Sequence, residues 1–143
     1  MDSCSKYGKY LERVNHNGLF ADVSHVSVTS VGKDHSARGV LDIHPSTLNP
    51  LGIVHGGALV TLADTVAGTA AFTTGQACVT LDCTMQYLAP ARGAQIFCTA
   101  VPKKLGRTVL VYDTQLTDEA GRLVAAGTYT FFATGPADLS VLD

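Results

Sequence analysis

The sequence has no tryptophan, little charge and no long hydrophobic run. Only 15% of the 143 residues are charged, and the formal net charge is −2. This balance argues against a nucleic-acid-binding domain, which normally carries a basic surplus. No apolar run reaches the roughly 20 residues that a membrane-spanning helix needs, and residues 1–18 contain no signal-peptide core. We therefore expect a cytoplasmic protein without nucleic-acid or membrane partners.

Metal-binding patterns are missing as well. The four cysteines form no C-x-x-C pair, and the five histidines form no H-x-H or H-x-x-x-H pattern, although such spacings are typical of zinc sites. Without an export signal, we expect the cysteines to stay reduced, mostly as small core residues. The sequence thus predicts no metal site.

The apolar content of the chain is sufficient for one folded domain. Hydrophobic residues make up 46% of the sequence, and a chain of this length can bury a core of its own. We expect a single domain over residues 1–143, with an N-terminal helical segment over 1–20 and a frayed tail over 135–143.

The predicted elements are a short helix, two strands, a longer helix and four strands. Apolar residues at helical spacing predict the first helix over about 2–15, and the first two strands cover 25–31 and 37–44. After a loop rich in proline, asparagine and glycine, the longer helix runs from Ala58 to about Phe72. Short turns then join four strands, which favours antiparallel neighbours; these strands are predicted over 78–88, 94–104, 108–117 and 123–134.

The longer helix is apolar or small on all sides, so it should be buried. Its glycines and β-branched residues lower its intrinsic helix propensity, so packing must hold it in place. The arrangement that satisfies both demands is an α+β fold, in which a curved, mostly antiparallel sheet wraps around one long central helix.

Asp64 is the only Asp, Glu, Lys or Arg between Asp42 and Asp82. It lies about two turns inside the predicted helix, where aspartate is unfavourable, and no Lys or Arg stands three or four positions away to pair with it. A desolvated, unpaired carboxylate is costly, and proteins often keep such a group for catalysis. Asp64 is therefore the leading catalytic candidate, with an interface or polar-network role as the alternative.

The loop that leads into this helix, Val54-His55-Gly56-Gly57, is the second candidate. Free backbone N–H groups and the positive end of the helix dipole lie at a helix start. Glycines let a ligand atom approach the backbone closely. Such a start suits a polarised carbonyl oxygen or an oxyanion; the alternative is a plain glycine turn before a helix.

The spacing of the two candidates has a structural consequence. Asp64 follows Gly56 by eight residues, which is about 12 Å along a regular helix. One carbonyl carbon cannot be close to both groups of the same chain. If both serve one reaction, each chain must give its helix start to the other's carboxylate, so we predict a symmetric homodimer with two equivalent sites at its interface.

Several motifs together resemble the hotdog-fold acyl-CoA thioesterases of the phenylacetic acid degradation (PaaI-like) type. These are N-P-x-G-x-x-H-G-G over 49–57, Leu62-Ala63-Asp64, VTLDCTMQYLAPA over 79–91, and DEAGRLVA over 118–125. The resemblance implies the hotdog fold and a site shared across a dimer, which in this family often assembles into a tetramer. The implied reaction is hydrolysis of an aryl- or fatty acyl-CoA thioester to the free acid and coenzyme A.

The resemblance also implies roles for individual residues. The backbone N–H of Gly56 would polarise the thioester carbonyl, and Asn49 would help to bind it. Asp64 of the partner chain would act as general base on a water, or as the nucleophile. Thr80 would orient the water or the carboxylate, and His55 is expected to fix the loop more than to move protons.

The coenzyme A end of the substrate needs further contacts. Gly57 extends the glycine loop, and the basic residues that could bind the phosphates are Arg92, Lys103, Lys104 and Arg107; the alternative is that these are solvated turn residues. No cofactor is implied, because coenzyme A is part of the substrate. Candidates to line the acyl pocket, which the sequence does not orient, are Phe72, Met85, Tyr87 and Phe97.

Other functions of the same fold stay open at this point. A hotdog hydratase or dehydratase would act on acyl thioesters with a catalytic histidine paired to an acid, and that motif is not found here. A non-catalytic acyl-CoA sensor of the transcriptional kind would need a DNA-binding appendage, for which the chain has neither the room nor the basic cluster. The presence of Asp64, Asn49 and H-G-G argues against an inactive structural member.

Overall fold

The computed structural model describes residues 5–142, and its helices and strands follow the predicted order with one addition, a short second helix before the first strand. The helices are α1 (Gly8–Asn15), α2 (Phe20–Val23) and α3 (Gly56–Phe72). The strands are β1 (Val26–Val31), β2 (Ala37–Asp42), β3 (Gln76–Tyr87), β4 (Gln95–Leu105), β5 (Val109–Thr117) and β6 (Leu123–Pro136). Residues 2–4 of the predicted first helix, with Cys4, lie outside the described residues.

The sheet wraps around α3, as the composition of that helix predicts. Every strand contacts α3, and the buried side chains of the helix are Leu59, Leu62, Ala63, Val66, Ala67, Thr69, Ala70 and Ala71. Gly39 of β2 faces the helix so closely that a Cβ there would lie 2.7 Å from Ser27 O and overlap Val66 Cγ2. The small residues therefore let helix and sheet approach each other.

All neighbouring strands of the single six-stranded sheet are antiparallel, in the order β1-β2-β4-β5-β6-β3. The predicted α+β architecture is confirmed. One detail is wrong: β3 does not neighbour β4, although a short turn joins them. The connection over 88–94 crosses the end of the sheet instead, and it is held where Val54 N–H donates to Ala91 O and Ile43 N–H donates to Ala94 O.

The N-terminal segment packs against the rest of the domain. Tyr7 and Leu11 are buried in the core, and the Tyr10 ring stacks on Phe72 at 4.4 Å between centroids. Near the other end of the chain, β6 runs to Pro136 and a 3-10 helix spans Leu139–Leu142. The Arg13 guanidinium donates to Val141 O, so the two ends of the described chain lie together.

The strand β3 forms one edge of the sheet and is exposed along most of its length. Its pairing with β6 shifts at Leu81, where a β-bulge separates Thr80 from Asp82. Val79 and Leu81 expose more than half of their surface. A long, apolar edge of this kind is a template for pairing with another chain. Among the described residues, no helix is both long and apolar enough to cross a membrane.

Candidate active site

The Asp64 carboxylate meets Thr80 at the edge of the sheet. Thr80 Oγ1 donates a 2.7 Å hydrogen bond to Asp64 Oδ1, and Thr80 pairs with the buried Phe131 of β6, so it faces the helix. Asp64 is half-buried in the single chain, which is less than the sequence argument assumed. Asp64 Oδ2 accepts no hydrogen bond in the described part of the chain.

His55 caps the start of α3 and leaves the Gly56 N–H free. The N–H of Gly57 donates to His55 Nδ1 at 2.8 Å, and the next two N–H groups of the helix donate to His55 O. Within residues 5–142, the Gly56 N–H has no acceptor. His55 is therefore the N-cap residue of α3, whereas the Gly56 N–H is an unsatisfied donor at the positive end of the helix dipole.

Asn49 is oriented by its own loop. Its Oδ1 accepts the backbone N–H groups of Leu51 at 3.0 Å and Ile53 at 3.3 Å, which identifies this atom as the oxygen because two donors point at it. The Nδ2 donors are consequently turned away from the loop. Asn49 and Gly56 both line a cleft of about 380 Å³, so two residues that carry a free N–H donor border one opening.

Tyr87 forms the wall of this cleft next to the helix start. Its phenol donates to Gly56 O at 3.2 Å, and it pairs with the buried Ala125 on the helix side of the sheet. The sequence singled it out only as one of several aromatic residues without an orientation. Its place in the Y-L-x-P-A segment is the signal that could have directed attention to it.

The single chain forms two half-sites and does not bring them together. Asp64 with Thr80 lies toward one end of β3, and Asn49 with Gly56 lies at the other end, beside Tyr87. Gly56, Asp64 and the seven residues between them all belong to α3, so the spacing of about 12 Å holds.

The basic candidates divide between the same two ends. Arg92 is exposed directly after Ala91, which lines the cleft at Gly56. Arg107 lies near the C-terminal end of α3, where its carbonyl accepts a hydrogen bond from Gln76 Nε2 at 3.1 Å. Lys103 and Lys104 are exposed near the C-terminal end of β4. Lys103 also faces Asp113, with 4.0 Å between Nζ and Oδ1.

One basic residue beside the cleft was not a candidate from the sequence. The Arg122 side chain donates a hydrogen bond to Pro90 O at 2.9 Å.

The other aromatic candidates lie away from the cleft. Phe72 is covered by Tyr7 and Tyr10 at the far end of α3, and Phe97 lies between the buried Ile96 and Cys98, so it faces the outer side of the sheet. Among residues 5–142, no three His, Cys, Asp or Glu side chains are arranged to hold a metal ion.

Comparison with known proteins assigns the family. A family model described as Thioesterase superfamily matches residues 51–125, which include α3 and both half-sites apart from Asn49. The chain belongs to the Thioesterase superfamily. This thioesterase is 33% identical over 125 residues to a candidate esterase of Vibrio cholerae, covering 84% of this chain and 83% of that one. It is 36% identical over 86 residues to mouse acyl-coenzyme A thioesterase 13, covering 57% of this chain and 61% of the mouse protein.

Solved structures of related proteins share the fold of this thioesterase. A hypothetical thioesterase of Streptococcus pneumoniae, solved with coenzyme A, is 29% identical with a TM-score of 0.74 over 79% of this chain and 88% of that one. Alanine variants of that protein at an aspartate and at a threonine 16 positions further on have also been solved. The PaaI protein of the Escherichia coli phenylacetic acid degradation operon has a TM-score of 0.84 at 23% identity, over 95% of this chain and 99% of that one. The predicted PaaI-like hotdog fold is therefore confirmed.

Proposed function

We propose that this thioesterase hydrolyses an acyl-CoA thioester to the free acid and coenzyme A, in sites shared between two chains. The observation that carries the proposal is the pair of half-sites. One consists of Gly56, whose N–H has no acceptor among the described residues, and Asn49, which lines the same cleft; the other consists of the Asp64 carboxylate held by Thr80. Coenzyme A bound to the Streptococcus protein and the name of the mouse relative support this choice of leaving group.

The chemistry needs only these groups. The Gly56 N–H and Asn49 Nδ2 would donate to the thioester oxygen and stabilise the negative charge that develops there. Asp64 would take a proton from the attacking water, or would itself attack the carbonyl carbon to form an anhydride that water then cleaves. The thiolate of coenzyme A is a good leaving group, so the reaction requires no strong acid beside it.

Pairing along β3 would complete both sites. Thr80 and Tyr87 both face the helix side of β3, at opposite ends of its exposed stretch. A second copy pairing antiparallel along this edge, about a two-fold axis near Thr84, would bring Asp64 and Thr80 of one chain next to Gly56 of the other. The exposed Val79 and Leu81 would be covered in the same step.

The spacing of Asp64 and Thr80 supports their assignment as one functional unit. They are 16 residues apart in the chain, the same interval as between the aspartate and the threonine that were replaced by alanine in the Streptococcus protein.

Direct assays test the proposed activity. Purified protein would be supplied with aryl- and fatty acyl-CoA thioesters, and the released thiol would be measured for wild type, Asp64→Ala and Asp64→Asn. We expect turnover by wild type and a loss of about 100- to 10,000-fold in both variants. A wild type that hydrolyses none of the thioesters would contradict the function, and full activity of Asp64→Ala would contradict the mechanism.

Mixing inactive variants tests the shared site. Asp64→Ala and Asn49→Ala chains, unfolded and refolded together, would form heterodimers with one intact site each. Random association should restore about a quarter of the wild-type activity, whereas each variant refolded alone should remain inactive. Mass measurement verifies that heterodimers have formed. If the mixture then recovers no activity, both half-sites of a working active site must belong to one chain.

A further inference from the structure

We infer that Tyr87 is a positioning residue for this reaction, which holds the start of α3 so that the Gly56 N–H faces the bound carbonyl. The inference rests on the proposed function and adds a residue to which neither the comparisons nor the sequence motifs give a role. Tyr87 would act through Gly56 and would not exchange protons with the substrate.

Two separate contacts join Tyr87 to Gly56. The phenol donates to Gly56 O at 3.2 Å. The ring also lies close to the Cα of the glycine, because a Cβ built there would be 3.2 Å from Tyr87 Cε1 and Cζ. A Cβ at position 56 would press on the ring, which would have to shift by a few tenths of an ångström.

The other hydrogen bonds at Gly56 are local to the loop and the helix, where His55 O, in the same peptide group as the Gly56 N–H, accepts from Ala58 and Leu59. His55 Nδ1 accepts from Gly57, and Asn49 Oδ1 accepts from Leu51 and Ile53. Two consecutive glycines at a helix start have more backbone freedom than any other residues. Tyr87, at the end of strand β3, supplies a side-chain hydrogen bond from the sheet to the carbonyl of Gly56, and this bond ties the first residue of the helix to β3.

The position of this peptide matters for the rate. A donor in an oxyanion-binding arrangement stabilises the transition state only when it is fixed where the charge develops, and small displacements reduce its effect. Such a loss lowers kcat and leaves KM nearly unchanged, because the ground state depends less on that donor. A residue that merely formed a wall for the substrate would change KM instead.

Conservative variants separate these roles. Tyr87→Phe keeps the ring and removes the phenol, and we expect kcat to fall about 5- to 10-fold, the effect of one lost hydrogen bond, with KM changed by less than about twofold. Gly56→Ala keeps the N–H but pushes against the ring, and kcat should fall as well. The matched control is Tyr10→Phe, at the far end of α3, for which kcat should equal that of wild type.

A spectroscopic measurement keeps the test independent of turnover. The probe is the acyl-CoA that wild type hydrolyses fastest, labelled with carbon-13 at its carbonyl. It would be bound to the Asp64→Asn variant and to the Asp64→Asn/Tyr87→Phe double variant. The infrared carbonyl band should shift to lower frequency on binding, and the shift should be smaller without the phenol. Equal bands together with an unchanged kcat for Tyr87→Phe, or a change confined to KM, would overturn the positioning role. Those outcomes leave the proposed function intact, because that function depends on wild-type turnover and on Asp64.

Discussion

The hydroxyl of Thr80, on β3, donates to the Asp64 carboxylate, on α3, across 2.7 Å. This hydrogen bond fixes one carboxylate oxygen and leaves Oδ2 without a donor among the described residues. It also ties the middle of the central helix to an edge strand. A carboxylate held in this way is oriented without a cationic partner, so it stays available to a water molecule or to a carbonyl carbon.

Replacing Thr80 should therefore lower the rate without unfolding the protein. Thr80→Val removes a hydrogen bond to a charged group, and we expect kcat to fall about 10- to 100-fold. Thr80→Ser keeps the hydroxyl and should stay within about threefold of wild type. Steady-state assays on both variants check this, and equal rates for Val and Thr would show that Asp64 is oriented by something else.

Thr84 tests the proposed pairing of two β3 strands. If the two-fold axis passes near it, Thr84→Asp brings two like charges together, and the dissociation constant of the dimer should rise about fivefold or more. An equal mixture of Thr84→Asp and Thr84→Lys chains should associate more tightly than either alone. Sedimentation at a series of concentrations measures all three. An unchanged constant for both single variants would move the axis away from Thr84.

Gly39 should be intolerant of any side chain. A Cβ at this position meets Ser27 O and the Val66 side chain, and overpacking of this kind costs about 2 kcal/mol. Gly39→Ala should thus lower Tm by about 5 °C or more. Gly8→Ala is the control, because a Cβ there meets nothing within 4 Å. A Tm for Gly39→Ala equal to that of the control would mean that β2 can move away from α3 at little cost.

Two buried tyrosines predict a loss of stability in alkali. Burial raises the pKa of Tyr112 and of Tyr129 well above the ordinary value of 10.0, while Tyr112 donates to His35 O and Tyr129 donates to Val60 O. The unfolded chain releases these protons near pH 10, but the folded chain does not, so folding is favoured below that pH and disfavoured above it. Each phenol should reduce the free energy of unfolding by about 1.4 kcal/mol per pH unit above 10.

Ultraviolet titration of the phenolate band checks this expectation. Two of the five tyrosines should ionise only together with unfolding, as followed by circular dichroism. Smooth ionisation of all five while the protein remains folded would contradict the burial of these two side chains.

The sequence was sufficient to predict the local features of the fold and the candidates of the site. The bounds of α3 were within two residues, because the glycine pair marks its start and the apolar pattern ends at Phe72. Asp64 was recognisable from its isolation among uncharged residues. These signals are contained in a few neighbouring positions, so no knowledge of distant contacts was needed.

Long-range features could not be predicted in the same way. The order of strands places β6 between β5 and β3, whereas loop length alone favoured a β3–β4 pair. The bulge at Leu81 breaks the alternation of the strand, and without it Thr80 and Tyr87 would face opposite sides. The contact of Tyr87 with Gly56 joins residues 31 positions apart, and no local pattern encodes it.

The dependence of β3 on β6 has a consequence for synthesis of the protein on the ribosome. Within the sheet, β3 pairs with β6 alone, and β6 is the last of the six strands in chain order. Because a chain emerges from its N-terminus, the strand that carries Thr80 and Tyr87 has no partner in the sheet until β6 has been translated. The helix can meet β1 and β2 early, but the edge that carries Thr80 must wait for β6.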